Sequence, residues 1–238
     1  MKSRLCFCGN QEDMQIVRYY IPHGCYRRVS TSYSVRIESE DYKLVWSKSY
    51  VGPGLMGLVC TTRNHVKNRM EKGLVTHVAE RPIFIDMSGT DQDSRPFVEI
   101  DLSAAYATAI NRIGATSKGM HHVLTQRICK KSRLMVVGSL ATRKLVTHYE
   151  QFELVERHIE QEETLPVWNS AIAAVDQEMR HLRQLAGADF LMYWTDAMFV
   201  RPAAKDRIMS VIPSTGYYAK HKTSGELKRY KEYVLTSD

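Results

Sequence analysis

Val98-Glu99-Ile100-Asp101-Leu102-Ser103-Ala104-Ala105-Tyr106 is the stretch from which the rest of the chain is read. Phe97, Glu99 and Asp101 alternate with Val98 and Ile100, the two-residue period of a strand. Ser103 then stands where a helix N-cap belongs, ahead of Ala104, Ala105, Tyr106, Ala107, Ala109 and Ile110, with Gly114 as the stop. A strand therefore delivers Asp101 to the start of a helix, where free backbone N–H groups and partial positive charge suit phosphate. The complement lies at Met192-Tyr193-Trp194-Thr195-Asp196-Ala197, a second aspartate at the bend of a strand pair.

Between these stretches the spacing predicts helices. One runs from about Met120 to Lys144 and is basic. Another starts at Pro166, carries Trp168, Ile172, Val175, Met179, Leu182 and Leu185 at intervals of three and four, and stops at Gly187. That stripe is core, so Phe190 to Val200 is expected as a strand or strand pair packed on it. Gly216 to Leu235 reads as a hairpin turning at Thr223-Ser224-Gly225.

Ahead of Pro96 the chain is β-rich. Arg27 to Ile37 and Tyr42 to Tyr50 carry strand patterns, Gly52-Pro53-Gly54 a turn, Thr62 to Lys72 a short basic helix, and Ile83-Phe84-Ile85 a short buried strand. The polar stretch from Ser88 to Pro96 is the natural boundary. The expected class is α+β: an antiparallel palm-type sheet covered by helices in residues 96–238, after a β-rich region of unassigned role in residues 1–95.

The 238 residues are 44% hydrophobic and 25% charged, the balance of a globular chain. No run approaches the roughly 20 apolar residues of a membrane span, and no apolar stretch follows Met1-Lys2-Ser3-Arg4, so neither a membrane segment nor a secretory leader is expected. The net charge of +7 fits a polyanionic partner. Cys6, Cys8, Cys25, Cys60 and Cys129 are odd in number and scattered, as in reduced, cytoplasmic proteins. Cys6, Cys8, His23 and Cys25 lack the paired spacing of a structural zinc knuckle and are expected to be ordinary packing residues.

Two aspartates on neighbouring antiparallel strands can clamp two metal ions about 3.5–4 Å apart and stabilise both oxygens of an in-line displacement. A single aspartate at a helix start is commonly a cap. The order strand-Asp-helix, basic helix, long helix, strand-Asp is what singles out this pair.

That order resembles the palm of family B DNA polymerases. Asp101-Leu102-Ser103-Ala104-Ala105-Tyr106-Ala107-Thr108-Ala109-Ile110 is similar to motif A of the family. The resemblance implies metal binding by Asp101 and the Leu102 carbonyl, nucleotide contact at Ser103, and Tyr106 under the incoming sugar, where its ring excludes a 2′-hydroxyl. Tyr193-Trp194-Thr195-Asp196-Ala197-Met198-Phe199-Val200 is similar to motif C, with Asp196 as the essential carboxylate and Trp194 in place of the other. Lys130 to Lys144 resembles motif B, and Lys131, Arg127 or Arg133 would contact the triphosphate. Lys220, Lys222, Lys228 and Tyr230 resemble the Lys-x-Tyr region that touches primer and template.

The resemblance covers about Phe97 to Lys231. It implies a minimal, phage- or mobile-element-like DNA polymerase with short fingers helices and a reduced thumb. The implied cofactor is Mg2+ or Mn2+. The implied partners are a primer-template, dNTPs and other replication proteins, in a cytoplasm (the host's, if the source is viral). Two other functions fit the same residues: a non-catalytic nucleic-acid-binding replication scaffold, and a primase or terminal-transferase-like enzyme.

Overall fold

The computed structural model describes residues 2–9, 11–31, 34–47, 53–78, 82–89, 95–227 and 235–237, with side chains left out at 47, 53, 95 and from 221 onward. The fold is α+β, as the sequence predicts, with two six-stranded sheets. Its compact units are Met1–Asn64 with Gly138–Leu165, and His65–Val137 with Pro166–Asp238. The first unit is discontinuous in sequence, because a hairpin from the second half of the chain joins the N-terminal sheet.

The first unit holds β1 (Ser3–Cys8), α1 (Met14–Tyr20), β2 (Tyr26–Ser30), β3 (Ser34–Glu38), β4 (Tyr42–Ser47) and the first part of α2 (Pro53–Glu71). It is completed by β7 (Arg143–Glu150) and β8 (Glu153–Gln161). The strand order is β1-β4-β3-β2-β7-β8, with β1 parallel to β4 and the other pairs antiparallel. Val17 and Ile21 close over Val35, Ile37, Leu44 and Trp46 to form its core. Arg63 donates to the Ser139 carbonyl at 2.7 Å and to Thr142 Oγ1 at 2.7 Å, and pairs with Glu162 at 3.3 Å, fixing the turn into β7.

Several sequence expectations change here. Arg27 to Ile37 is a hairpin of two strands. Pro53 begins α2 instead of belonging to a turn, because a fixed φ and a missing N–H suit the first helical turn. The helix expected from Met120 to Lys144 divides into α4 (Lys118–His122), a π-helical turn (Val123–Arg127) and α5 (Lys130–Gly138). Ser117 Oγ caps α4 by accepting the Met120 N–H, and Ile128 is extended, so the helix breaks there. The five cysteines are exposed instead of packed, and among the described residues no cysteine joins a metal-ligand cluster.

The second unit holds β5 (Ile85–Asp86), β6 (Arg95–Leu102), α3 (Ala105–Arg112), α4, α5, α6 (Leu165–Ala186), β9 (Phe190–Trp194), β10 (Ala197–Val200), α7 (Lys205–Val211), β11 (Ala219–Leu227) and β12 (Leu235–Ser237). Its sheet runs β12-β11-β6-β10-β9-β5, and every pair is antiparallel. Ile100, Leu102, Met198, Val200 and Tyr193 are buried, and the Tyr193 hydroxyl donates to Asp176 of α6 at 3.1 Å. This is the helix-covered face. Burial and Asp176 together push the Tyr193 phenol far above its ordinary pKa.

Gly114 is required where it stands: its φ is +80°, and a Cβ would come 2.2 Å from the Leu74 carbonyl. The expected buried strand at Ile83 to Ile85 shrinks to β5, with all three side chains exposed. Asp176 Oδ1 takes the N–H groups of Ile83 and Phe84, and Phe84 has φ +65°, so the chain turns where a ladder was expected. β11 continues through Thr223-Ser224-Gly225 with only a register irregularity between His221 and Ser224; the expected turn is not there. The boundary segment from Ser88 to Pro96 lies partly outside the described residues. Among the described residues, no helix is long and apolar enough to cross a membrane.

Candidate active site on the second sheet

Strand pairing brings the two aspartates together. Asp101 on β6 faces Ala197 on β10, and the Leu102 N–H donates to the Asp196 carbonyl at 2.9 Å. Asp196 is thus at the tip of the β9–β10 hairpin, one residue before the position opposite Asp101. Both carboxylates are half-buried. The alternation that buries Ile100 and Leu102 against the helices turns Glu99 and Asp101 to the other face. Across the sheet, Asp101 and Lys220 of β11 are partners, Ala197 pairs with Trp194, and Trp194 pairs with Ile85. Farther along this face Phe97, Leu191, Met192 and Phe199 form a small apolar cluster, and Asp101 lies toward the end of the strand beyond it.

The hairpin tip is strained. Thr195 has φ +53°, whereas a two-residue hairpin turn with positive φ at its first position ordinarily takes glycine. Its N–H donates to the Phe84 carbonyl at 2.7 Å, and its Oγ1 donates to Asp196 Oδ1 at 2.9 Å. These bonds hold Thr195 in its conformation and fix the rotamer of Asp196.

The strand-to-helix turn is strained too. Ser103 does not cap α3: its N–H donates to the Tyr218 carbonyl, and Ala104 takes the cap position in the left-handed region with φ 54° and ψ 36°. The Ser103 side chain lies one residue too early to reach the first-turn amides. α3 consequently begins with no side-chain cap, and its first N–H groups keep their capacity for an anion.

Tyr106, one turn into α3, packs on Trp168 of α6 with ring centroids 5.4 Å apart. Burial, reinforced by the negative charge of Asp196, pushes its phenol up to about 12, against a hydrogen bond with Thr195. The ring therefore stands beside Asp196, and it is uncharged at neutral pH.

The other residues from the resemblance are less closely placed. Arg127, exposed on the π-turn, donates to His122 Nε2 at 3.4 Å, and Arg133 reaches the Thr125 carbonyl at 3.5 Å. Lys131 is exposed on α5. None of these contacts involves the aspartates. Lys220, by contrast, is exposed on β11 directly across from Asp101. The Lys222 side chain, and Lys228 and Tyr230 altogether, lie outside the described residues.

Residues that sequence reasoning missed are those that set the frame. Asp176 is buried, and besides Ile83, Phe84 and Tyr193 it holds Arg180 at 3.0 Å. Glu178, also buried, holds Arg112 at 3.1 Å, and Arg112 lies over the Tyr217 ring at 4.7 Å. Two acids at positions 176 and 178 inside an apolar stripe were the available signal.

Two carboxylates make an all-oxygen donor set that suits a hard cation. Mg2+ is ordinarily held by one or two carboxylates, with substrate phosphates and waters filling the rest. Among the described residues no third histidine, cysteine or acid completes a three-ligand cluster with this pair. No family model, curated protein or solved structure matches the chain.

Proposed function

We propose that the second unit is a nucleotidyl-transfer palm and that the chain is a minimal template-directed DNA polymerase. The observation that carries this reading is the meeting of Asp101 on β6 with Asp196 at the tip of the β9–β10 hairpin, where the Leu102 N–H donates to the Asp196 carbonyl. Bound Mg2+ or Mn2+ would neutralise and orient the triphosphate. The chain's own part is positioning. Asp101 and Asp196 supply negative charge at fixed points, the Thr195 hydroxyl steadies Asp196, the uncapped start of α3 offers N–H groups to phosphate oxygens, and the neutral ring of Tyr106 walls the site beside Asp196. A wall under the sugar disfavours ribonucleotides, which weighs against primase chemistry.

A second reading draws on Trp194. It stands where the resembled motif has another carboxylate, and its side chain is exposed on the carboxylate face. An exposed ring suits base stacking without chemistry, the expectation for a replication scaffold.

Primer extension by the full chain with Mg2+ or Mn2+ separates the two. The polymerase reading predicts template-dependent incorporation that falls about a thousandfold or more in both Asp101→Asn and Asp196→Asn, a loss of several kcal/mol of transition-state stabilisation. Salt-sensitive DNA binding with no incorporation by the wild type supports the scaffold, and undiminished incorporation by either variant excludes the pair.

A further inference from the structure

The edge of the first unit's sheet gathers three metal-ligand side chains that the palm reading does not use. β7 and β8 are antiparallel, and His148 sits directly opposite Glu156. His158 follows Glu156 by two residues and so projects from the same face. One ligand atom from each of the three lies within 4.8 Å of the other two. The two imidazoles are stacked, with centroids 5.9 Å apart and planes 19° from parallel. The register slips between His148 and Tyr149, the kind of irregularity that re-aims a side chain beside a site.

The strongest indication is at His158. Its Nδ1 is buried and makes no hydrogen bond, although Glu156 Oε1 lies only 3.1 Å away. A nitrogen and an oxygen this close but misaligned for a shared proton have the spacing of two ligands on one small ion. Tetrahedral bonds of about 2.0–2.2 Å put neighbouring donors about 3.3 Å apart. The other ring nitrogen, Nε2, lies 3.6 Å from Glu160 Oε1, and Arg27 Nη2 holds that carboxylate at 2.6 Å. A carboxylate behind the distal nitrogen of a ligand histidine fixes its tautomer and raises its basicity. The neighbouring cations are matched by acids: Arg27 pairs with Glu38 and Glu160, and Lys144 with Glu162.

We propose that His148, Glu156 and His158 form a binding site for a divalent transition-metal ion of the zinc type, separate from the Asp101–Asp196 pair. Two imidazoles and one carboxylate suit Zn2+ and its neighbours, whereas Mg2+ and Ca2+ take all-oxygen sets and Cu(I) takes thiolates or thioethers. The Glu156 side chain is 62% exposed, so a remaining coordination position is open to water. All three ligands belong to one hairpin. The ion ties the edge strand β8 to β7.

The test is Zn2+ titration of the metal-free full chain against a chromogenic chelator, with Co2+ absorption reporting the coordination number. The site predicts one ion per chain at micromolar affinity or tighter. It predicts a loss of more than about 100-fold in His148→Ala and His158→Ala, and of about tenfold in Glu160→Gln. Asp101→Asn and Asp196→Asn should bind Zn2+ as the wild type does. Absence of stoichiometric binding, or unchanged affinity in the His148→Ala/His158→Ala double variant, overturns the proposal. If a variant fails to fold, nuclear magnetic resonance of the wild type decides: Zn2+-induced shifts centred on His148 and His158 support the site, and shifts centred elsewhere refute it.

Discussion

At the residue scale, the candidate site is held by side chains under strain. Thr195 occupies a left-handed conformation that a β-branched residue avoids. Two bonds hold it there, one to the Phe84 carbonyl and one to Asp196. Thr195→Gly relieves the backbone and gives up the hydroxyl, whereas Thr195→Val keeps the strain and loses the hydroxyl as well. The glycine variant should therefore be more stable than the valine variant by about 1–2 kcal/mol in urea unfolding. Equal stability would show that the turn is not strained. The aspartates themselves were legible in the sequence because strand periodicity and helix signals flank them. The conformations of Ala104 and Thr195 were not, since neither residue type favours positive φ and only tertiary bonds select it.

At the element scale, the long periodic helix and the strands around both aspartates were read correctly, since the apolar spacing of α6 and the alternation of β6 are strong signals. The β7–β8 hairpin escaped because its outer strand leaves Leu154, Val155 and Ile159 exposed among charged residues, so it lacks a clean inside and outside. The helix expected from Met120 to Lys144 breaks at the extended Ile128 and gives way to β7 at Arg143. α4 is joined to the rest of its unit through histidines. His65 Nε2 accepts the Ser117 N–H at 3.1 Å, which requires that nitrogen to be unprotonated. Burial, with Arg69 adding to it, holds the His65 pKa below its usual value, and burial with His122 does the same for His121. On acidification the unfolded chain takes up these protons first. The histidines' contribution is therefore complete above about pH 6.5 and is lost as pH falls through that value toward the lower folded ones. The urea midpoint should fall between about pH 7.5 and about pH 5.5, and the fall should be smaller in His65→Gln. A midpoint unchanged over that window would contradict the assignment of neutral, buried histidines.

At the scale of the whole molecule, the chain holds two sheets of different character. One is mixed, and its edge hairpin carries the imidazole cluster; the other is wholly antiparallel and carries the acidic pair. The α+β class was legible because composition and periodicity survive any arrangement of elements. The joining of β7 and β8 to the N-terminal sheet was not. Pairing of β2 with β7 is a contact between residues over 110 apart, and no local signal marks it. The net charge of +7 agrees with a polyanionic partner and does not by itself choose between synthesis and binding. The account turns on Asp101 and Asp196 sharing a cation. Anomalous diffraction from crystals soaked with Mn2+ and a deoxynucleoside triphosphate tests this directly. An ion about 2 Å from carboxylate oxygens of both residues is the predicted result. Bound nucleotide with no ion between them would contradict it.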